Sequence, residues 1–470
     1  MENITLGQII LSTNGKLLTP DISEDTLVKR VISDNRKAGD GDLFFAIVGE
    51  KMDGHSFVSA ALKAGAVGAV VSKQPEEMIP GKFYVLVPDT ILALGDLASY
   101  YRMQFQIPII AVTGSVGKTT MKDMIASVLS QKYKVVATEG NYNNNIGVPR
   151  TLFRIDNSTE VAVIEMGMNH EGEINYLTHI VHPTMAVITN IGDAHIGNLG
   201  SRENIFKAKC EIFNGLSVGG LAVMNADDEF LLKLKDDEDL NEDYRFKWVG
   251  ENPDADFGAV NINDTLQDGL EFTMVVRRTH SGIDERDVVW VPALGRHMIY
   301  PTLCAAAIAK KLDMSYEEII EGIRQFKPTA MRMETWKLGV GITIYNDTYN
   351  ANPQSMKAGL YTLANTEGSR HIAVLGDMLE LGDLEEELHR SVGKKAAELS
   401  IDTLITIGNR AKFIADEAKR GGLKDVTSYD DAISAQKQLE GLLTDGAVIY
   451  FKASHAMALE KLAEYCRDKI

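Results

Sequence analysis

The sequence predicts an α/β protein built from three blocks of alternating strands and helices, the second and third reading as doubly wound parallel sheets. Three observations predict it. Apolar, strand-like runs alternate with helical stretches along the whole chain, the pattern of doubly wound sheets. One such run, 109-IIAVT-113, passes directly into the glycine-rich turn 114-GSVGKTT-120 and then a helix, the setting of a phosphate-binding loop. At 470 residues the chain also exceeds the roughly 250–300 at which a single core stops growing, so two or three domains are expected.

In the first block, 42-DLFFAIVG-49 reads as a strand, 56-SFVSAALKAGA-66 as a helix and 67-VGAVVS-72 as the next strand. A boundary falls near 104–107, ahead of Ile107-Pro108. The second block opens with 109–113 and a helix from about Thr119 to Gln131. It continues with strands near 161-VAVIEMG-167 and 185-MAVITN-190, whose few polar interruptions suit a buried parallel sheet. Pro328 cannot continue the helical pattern before it, which puts the next boundary near 327–329. The third block carries 371-HIAVLG-376, 403-TLITIG-408 and 446-GAVIYFKAS-454, separated by helical stretches such as 384–399. The acidic run 235-KDDEDLNED-243 reads as a solvated surface loop.

Composition narrows the function. Hydrophobic content of 45% and charged content of 24% are those of an ordinary folded protein. A net charge of −18 without any basic stripe argues against nucleic acid as a partner, whereas a phosphorylated small molecule needs only a local positive site. Cys210, Cys304 and Cys466 lie far apart without C-x-x-C spacing, which argues against a disulfide framework or zinc site and fits a reducing compartment. The stretch MENITLGQIILSTNGK lacks the marks of a secretory signal, and no apolar run approaches the roughly 20 residues of a membrane span. A cytoplasmic protein without membrane insertion is expected.

The glycine loop is shorter than G-x-x-x-x-G-K-[ST], because Val112 stands where the first glycine would be. Thr113, Gly114, Ser115, Val116, Gly117, Lys118, Thr119 and Thr120 still keep strand, turn, lysine and hydroxyls in register. Backbone N–H groups and the helix N-terminus face phosphate oxygens, Lys118 adds a full charge, and the Thr119 hydroxyl reaches Mg²⁺. The plain alternative is a turn that serves packing alone. Two further strand ends carry Glu165 and His195, an oxygen and an imidazole nitrogen for a metal, although a lone histidine is more often structural. In the helical stretch 201–216, Ile205, Lys209, Ile212 and Leu216 form one stripe, which sets Lys209 toward the core. Burial would lower its pKa and let the neutral amine add CO₂ to form a carbamate; from periodicity alone, a lysine snorkelling to the surface is the plainer reading.

Taken together these residues resemble the Mur ligase family, ATP-dependent amide-forming enzymes of bacterial cell-wall precursor synthesis. The short loop TGSVGKTT is that family's form. Further marks are 139-EGNYNNNIGVPRTL-152, EMGMNHEGEI, NIGDAHIGNLGS, 345-YNDTYNANPQSM-356 and VLGDMLELG, with 33-SDNRKAGDGDLFFAIVGEKMDGHSF-57 resembling the family's uridine-nucleotide segment. The resemblance implies an N-terminal α/β domain for the uridine-nucleotide substrate (1–105), a central P-loop ATPase-like parallel-sheet domain (106–327) and a C-terminal Rossmann-like ligase domain (328–470).

It implies that D-alanyl-D-alanine is joined to UDP-N-acetylmuramoyl-tripeptide through an acyl phosphate, using ATP, Mg²⁺ at two sites and a CO₂-derived carbamate on Lys209. Catalysis falls to Lys118, Glu165, His195 and Lys209, and metal binding to Thr119, Glu165, His195 and Lys209. ATP contacts come from the loop and from His297, Arg332 and Asp347. Substrate contacts come from Ser33, Asn35, Arg36, Lys51, Asp53, Gly54, His55, Asn144, Asn145, Asn350 and Asn352. A monomer that closes its domains over the acyl phosphate is expected. The chain departs from its relatives in 295-GRHMIYP-301, where Met298 and Pro301 replace asparagines, in 452-KASH-455 for K-G-S-R, and in SDNR for S-D-S-R. The alternatives are a ligase that adds a single diamino acid, expected to carry D-N-P-R where this chain has NANPQS, and an ATP-dependent switch without ligase activity.

Overall fold

The computed structural model describes residues 1–49, 51–277 and 284–470; Glu50, inside the uridine-nucleotide segment, lies outside them. Three large sheets follow one another along the chain. The first has the order Lys16–Leu17, Phe83–Leu86, Gly68–Val71, Asp42–Phe45, Arg30–Ile32, parallel except at its Lys16–Leu17 edge. The second runs Leu221–Asn225, Met185–Ile188, Ile109–Thr113, Val161–Glu165, Val135–Ala137, buried throughout except at the half-buried Val135–Ala137 edge. Beyond Leu221–Asn225 it is extended by Arg245–Gly250, Phe257–Asn263, Leu270–Val276 and Glu285–Val291, the last two antiparallel. The third has the order Glu334–Lys337, Thr343–Asn346, Ala447–Lys452, Arg370–Gly376, Thr403–Ile407, Asp425–Tyr429, again with one antiparallel edge.

The topology of the second sheet decides where chemistry can happen. Ile109–Thr113 lies between Val161–Glu165 and Met185–Ile188, so the chain leaves this strand toward one side and later returns on the other. A crevice opens at the carboxyl ends of strands at such a switch point. Glu165 pairs in register with Val112, and Ile188 with Thr113, so the three strands end at one level.

Two expectations are corrected. The stretch 201–216 is α-helical only over Arg202–Cys210 and tightens into a 3₁₀ turn at Glu211–Gly215. Neighbours impose the change: Glu211 accepts hydrogen bonds from the Gly172 and Asn175 N–H groups, and a Cβ on Gly215 would stand 2.5 Å from the Thr178 carbonyl oxygen. Ile205, Lys209, Ile212 and Leu216 are all buried nonetheless. The acidic run 235–243 is not a loop but contains the short helix Glu238–Asp243, capped by Asp237, whose carboxylate accepts the Leu240 N–H. The run is solvated except for partly buried Leu240.

The hydrophobic core does not divide at residue 105. One cluster runs from Ile4, Leu43 and Val70 through Leu94, Leu97 and Tyr101 to Ile155, Ile174, Leu177 and Val181. The helix Thr90–Arg102 is its seam. Buried Arg102 donates to the carbonyls of Val181, His182 and Phe105, and Tyr101 donates its hydroxyl proton to the Ile155 carbonyl. Among the described residues no helix is long and apolar enough to cross a membrane.

Candidate active site

The glycine loop 114–117 joins Ile109–Thr113 to the helix Lys118–Leu129. Its shape is held from the next strand end. Thr189 donates its hydroxyl proton to the Val116 carbonyl (2.6 Å), Asn190 accepts the Val116 N–H (3.1 Å), and the Asn190 carbonyl accepts the Ser115 N–H (3.0 Å). Gly114 sits at φ +146°, where a Cβ would come 1.9 Å from the Thr189 hydroxyl, so no side chain fits. Gly117 sits at φ +80° beside open space and leads into the helix N-terminus, where unpaired N–H groups attract anions. Thr119 is buried, Thr120 is half-buried, and Lys118 folds back to donate to the Gly114 carbonyl (2.9 Å).

Around this loop the sheet gathers the other candidates. Glu165, only 1% exposed, accepts a hydrogen bond from Asn143 (2.8 Å) through Oε1, while Oε2 is buried and has no hydrogen-bond partner. His195 stands at φ +63° just ahead of the short helix Ile196–Leu199. Its Nδ1 is also buried without a hydrogen bond, with Glu380 Oε2 of the third sheet's unit at 2.9 Å. Burial first, and then the charges of Lys118 and Lys209, hold the His195 imidazole down at about 4. Lys209 is 1% exposed, and its ammonium has neither hydrogen bond nor ion pair among the described residues. Burial, reinforced by Lys118, holds it well below the usual lysine range. Lys118 is itself lowered by burial, against the opposing pull of Glu165.

A third source is the chain just past residue 327. Met331 (φ +59°) and Met333 (φ +52°) are both left-handed, an uncommon conformation for such side chains, and between them Arg332 is carried toward the phosphate loop, near enough to depress Lys118 further. Its guanidinium lies 4.2 Å over the Tyr349 ring, which stacks on His455, and its Nε is buried without a hydrogen bond. Thr329 donates to Asp123 of the phosphate-loop helix, tying the two units together. Asp347 is engaged already, accepting from Lys452 (2.5 Å), Tyr450 (3.1 Å) and the Met333 N–H (3.2 Å). His297 lines a cavity of about 320 Å³ with Arg296, Ala358, Tyr361 and Thr362, between the central unit and the third. Met298 packs in the core of the central unit and does not line the cavity, and buried Pro301 sits in the first turn of Ile299–Lys311, where its missing N–H costs nothing.

The remaining candidates lie elsewhere or serve local structure. Asn352 caps the helix Pro353–Asn365 through the Ser355 N–H (2.9 Å), and Asn350 is exposed, its side chain accepting the Ala351 N–H. Asn144 accepts the Ile146 and Gly147 N–H groups and starts Gly147–Leu152; Asn145 is exposed. In the first sheet's unit, Asp53 accepts from Lys73, from the His55 N–H and from His55 Nδ1, while His55 Nε2 accepts the Ser72 N–H. Gly54 must be glycine, since a Cβ would stand 2.5 Å from the Ile47 carbonyl oxygen. Arg36 pairs with Asp34 on the surface beside half-buried Asn35, and Ser33 and Lys51 are exposed. Sequence reasoning missed Asn143, which orients Glu165, and Glu380; the signal was a run of three asparagines for the first and the quoted stretch VLGDMLELG for the second.

One anion site divided between two α/β units is the construction of a phosphate-loop enzyme that acts on a nucleotide. Family models agree: the Mur ligase family catalytic domain matches residues 28–102, the Mur ligase middle domain 112–309 and the Mur ligase glutamate ligase domain 331–455. The UDP-N-acetylmuramoyl-tripeptide–D-alanyl-D-alanine ligase of Bacillus subtilis is 36% identical over 462 residues, covering 98% of this chain and 97% of the relative. A crystal structure of MurF from Acinetobacter baumannii superposes with a TM-score of 0.90 at 32% identity, covering 100% of this chain and 99% of that one. MurF from Thermotoga maritima in complex with ADP gives 0.82 at 25% identity, over 94% and 98%. The chain belongs to the Mur ligase family.

Proposed function

We infer that this chain is an ATP-dependent, ADP-forming ligase that joins D-alanyl-D-alanine to UDP-N-acetylmuramoyl-tripeptide, a step of peptidoglycan precursor synthesis. The observation that carries the reading is the gathering of Lys118, Glu165, His195, Lys209 and Arg332 at one strand-end crevice, in a chain similar from end to end to ligases of that name. The tripeptide carboxylate attacks the γ-phosphorus of ATP, an O–P bond forms as the β–γ bridge breaks, and ADP leaves. The dipeptide amine then attacks the acyl carbon, loses a proton and displaces phosphate.

Two anions must meet in the first step, so the site needs positive charge. Lys118, Arg332 and the helix N-terminus behind Gly117 supply it from the protein. The donor set also suits Mg²⁺: Thr119, the unpartnered Oε2 of Glu165 and His195 would hold it, with Lys209 as a fourth ligand once carbamylated. A buried lysine without a counter-ion, its pKa pulled down, is the amine that adds CO₂ readily, and the product exchanges a stranded cation for an anionic ligand. Bound metal would offset the charge on the transferring phosphoryl group. Among the described residues no three His, Cys, Asp or Glu side chains are grouped to hold a metal, which is why the modified lysine matters to the reading.

We further infer that residues 1–105 receive the uridine nucleotide, 106–327 the ATP and 328–470 the dipeptide, with His297 and its cavity facing the nucleotide base, in a cytoplasmic monomer. Asn144, Asn145, Asn350, Asn352 and the first-domain residues are retained as substrate contacts, and Asp347, through its pairing with Lys452, as the acidic group near the ribose. The test is phosphate release from ATP with Mg²⁺, bicarbonate and the UDP-linked tripeptide. Release that requires D-alanyl-D-alanine, with a product heavier by the dipeptide less water, is the expected result; release without any amine would sink the ligase reading.

A further inference from the structure

The segment after Arg370–Gly376 is built to hold one shape. Asp377, 5% exposed, accepts the N–H groups of Arg410 (3.0 Å) and Ala411 (2.7 Å). Ser454 closes it from the other side, donating its N–H to the Asp377 carbonyl (3.0 Å) and accepting the Leu379 N–H at its hydroxyl (2.9 Å). The buried His389 accepts the Met378 N–H at Nε2 (3.0 Å) and places Nδ1 on the Glu385 carbonyl (2.7 Å). Glu380, at the tip of this rigid frame, is held at φ +65°, a conformation that surrounding structure must impose on a glutamate.

The tip lands on the central unit beside His195. Gly197 donates its N–H to the Glu380 carbonyl (3.4 Å). A Cβ on Gly197 would stand 2.7 Å from the Gly382 nitrogen, and one on Gly382 2.8 Å from the Gly197 Cα, so the two backbones touch with no room for a side chain on either. At this contact the Glu380 carboxylate stands 2.9 Å from His195 Nδ1, a buried nitrogen that makes no aligned hydrogen bond here, so that Glu380 is the carboxylate within reach of it.

We propose that Glu380 is the positioning residue of His195: when the third domain docks, its carboxylate fixes the proton on Nδ1 and leaves the Nε2 lone pair for the metal. This rests on the reading of His195 as a metal ligand given above. A neutral imidazole carries one donor and one acceptor, and a carboxylate can only accept, so its neighbour must be the protonated nitrogen. Outer carboxylates of this kind are worth about 10–100-fold in metal affinity or activity. It follows that the metal site in the central domain is complete only when the domain that receives the dipeptide is in place.

The test compares the wild-type chain with Glu380→Gln and Glu380→Ala, with Glu387→Gln as an exposed control of equal charge change. Imidazole ¹⁵N shifts of His195 in nucleotide-free protein are expected to show a protonated Nδ1 in the wild type and the control, and mixed tautomers in both Glu380 variants. The Mg²⁺ concentration for half-maximal phosphate release should rise about 10–100-fold in Glu380→Ala and less in Glu380→Gln, with kcat at saturating Mg²⁺ little changed. Unaltered His195 shifts in the variants, a wild-type proton on Nε2, or a fall in kcat with the same Mg²⁺ requirement would each overturn the proposal. Should Glu380→Ala not fold, Glu380→Gln decides. A wild-type chain without dipeptide-dependent phosphate release would defeat the ligase reading, and the imidazole shifts of nucleotide-free protein would still judge Glu380.

Discussion

The phosphate-loop crevice and the 33–55 segment both hold clusters of polar residues, yet they treat them in opposite ways. In the crevice Thr113 Oγ1, Glu165 Oε2, His195 Nδ1 and Arg332 Nε are buried and make no hydrogen bond, and Lys209 is buried without a counter-ion. In and beside the 33–55 segment Asp53, His55, Lys73, Asp34 and Arg36 satisfy one another, and none of the described residues there leaves a fully buried side-chain atom without a hydrogen bond. An unsatisfied buried polar group costs about 1–3 kcal/mol, so several together are tolerated only where a ligand completes them. Mutually satisfied groups instead set the shape of a surface.

The comparison predicts unequal consequences of mutation. The largest is expected for Lys209→Ala, which should cut phosphate release by about 10²–10³-fold if its carbamate is an essential anionic ligand. Depleting CO₂ from wild-type protein should slow the reaction reversibly, and native mass spectrometry should show a CO₂ adduct that the variant lacks. Asn143→Ala comes next: losing the hydrogen bond that orients Glu165 should cost about 10-fold, read as a higher Mg²⁺ requirement, with the melting temperature close to wild type. His55→Ala should do the reverse, lowering the melting temperature by about 2–4 °C, as a loss near 1 kcal/mol would, while KM for ATP stays at its wild-type value. A changed KM for ATP would break the comparison.

The smallest effect is on acid stability and separates the two regions by pH window. Burial lowers His195 to about 4 from an ordinary 6.5, and also lowers His182 and His389. The folded chain therefore binds fewer protons than the unfolded one in this range, and these groups contribute stability that is present above 6.5 and lost as pH falls toward about 4. Asp34, held at about 2 by Arg36, and Asp53, depressed first by Lys73, contribute above the ordinary carboxylate value and lose that contribution only at lower pH. Thermal melts of ligand-free protein should show two successive losses, and His195→Gln should reduce only the upper one.

Much of the crevice was legible because strand-end position and residue type coincide in one dimension. Lys118 follows a glycine turn, Glu165 and His195 follow apolar runs, and Lys209 interrupts an apolar stripe. What escaped depends on partners distant in sequence. The early end of the helix at Cys210 is imposed by Gly172, Asn175 and Thr178, and the role of Glu380 appears only when Gly382 meets Gly197. Asn143 could not be told from Asn144 and Asn145 by type, since which of them faces Glu165 is set by the turn that presents them. The strands 245–291 were passed over because several are half-exposed and mix charged with apolar residues. Asn352 shows why residue type alone does not sort roles, because an asparagine that caps a helix and one that binds a ligand read the same in sequence.

The seam formed by Thr90–Arg102 decides where this chain can be cut. A piece beginning at residue 106 would uncover Ile155, Ile174, Leu177 and Val181 and strip the Val181 and His182 carbonyls of Arg102, leaving a sticky apolar floor under the nucleotide site. Residues 1–327 keep Thr90–Arg102 on that floor and lose only Leu384 and Leu388 from its edge. Exchange of the first 105 residues for those of a relative with another substrate would have to carry matching residues on the underside of the central unit as well. Shuffling of these two parts between family members is therefore constrained by a shared interior, and exchange of the third part is constrained as well, since Leu384 and Leu388 pack against the same cluster and Gly382 meets Gly197 backbone to backbone.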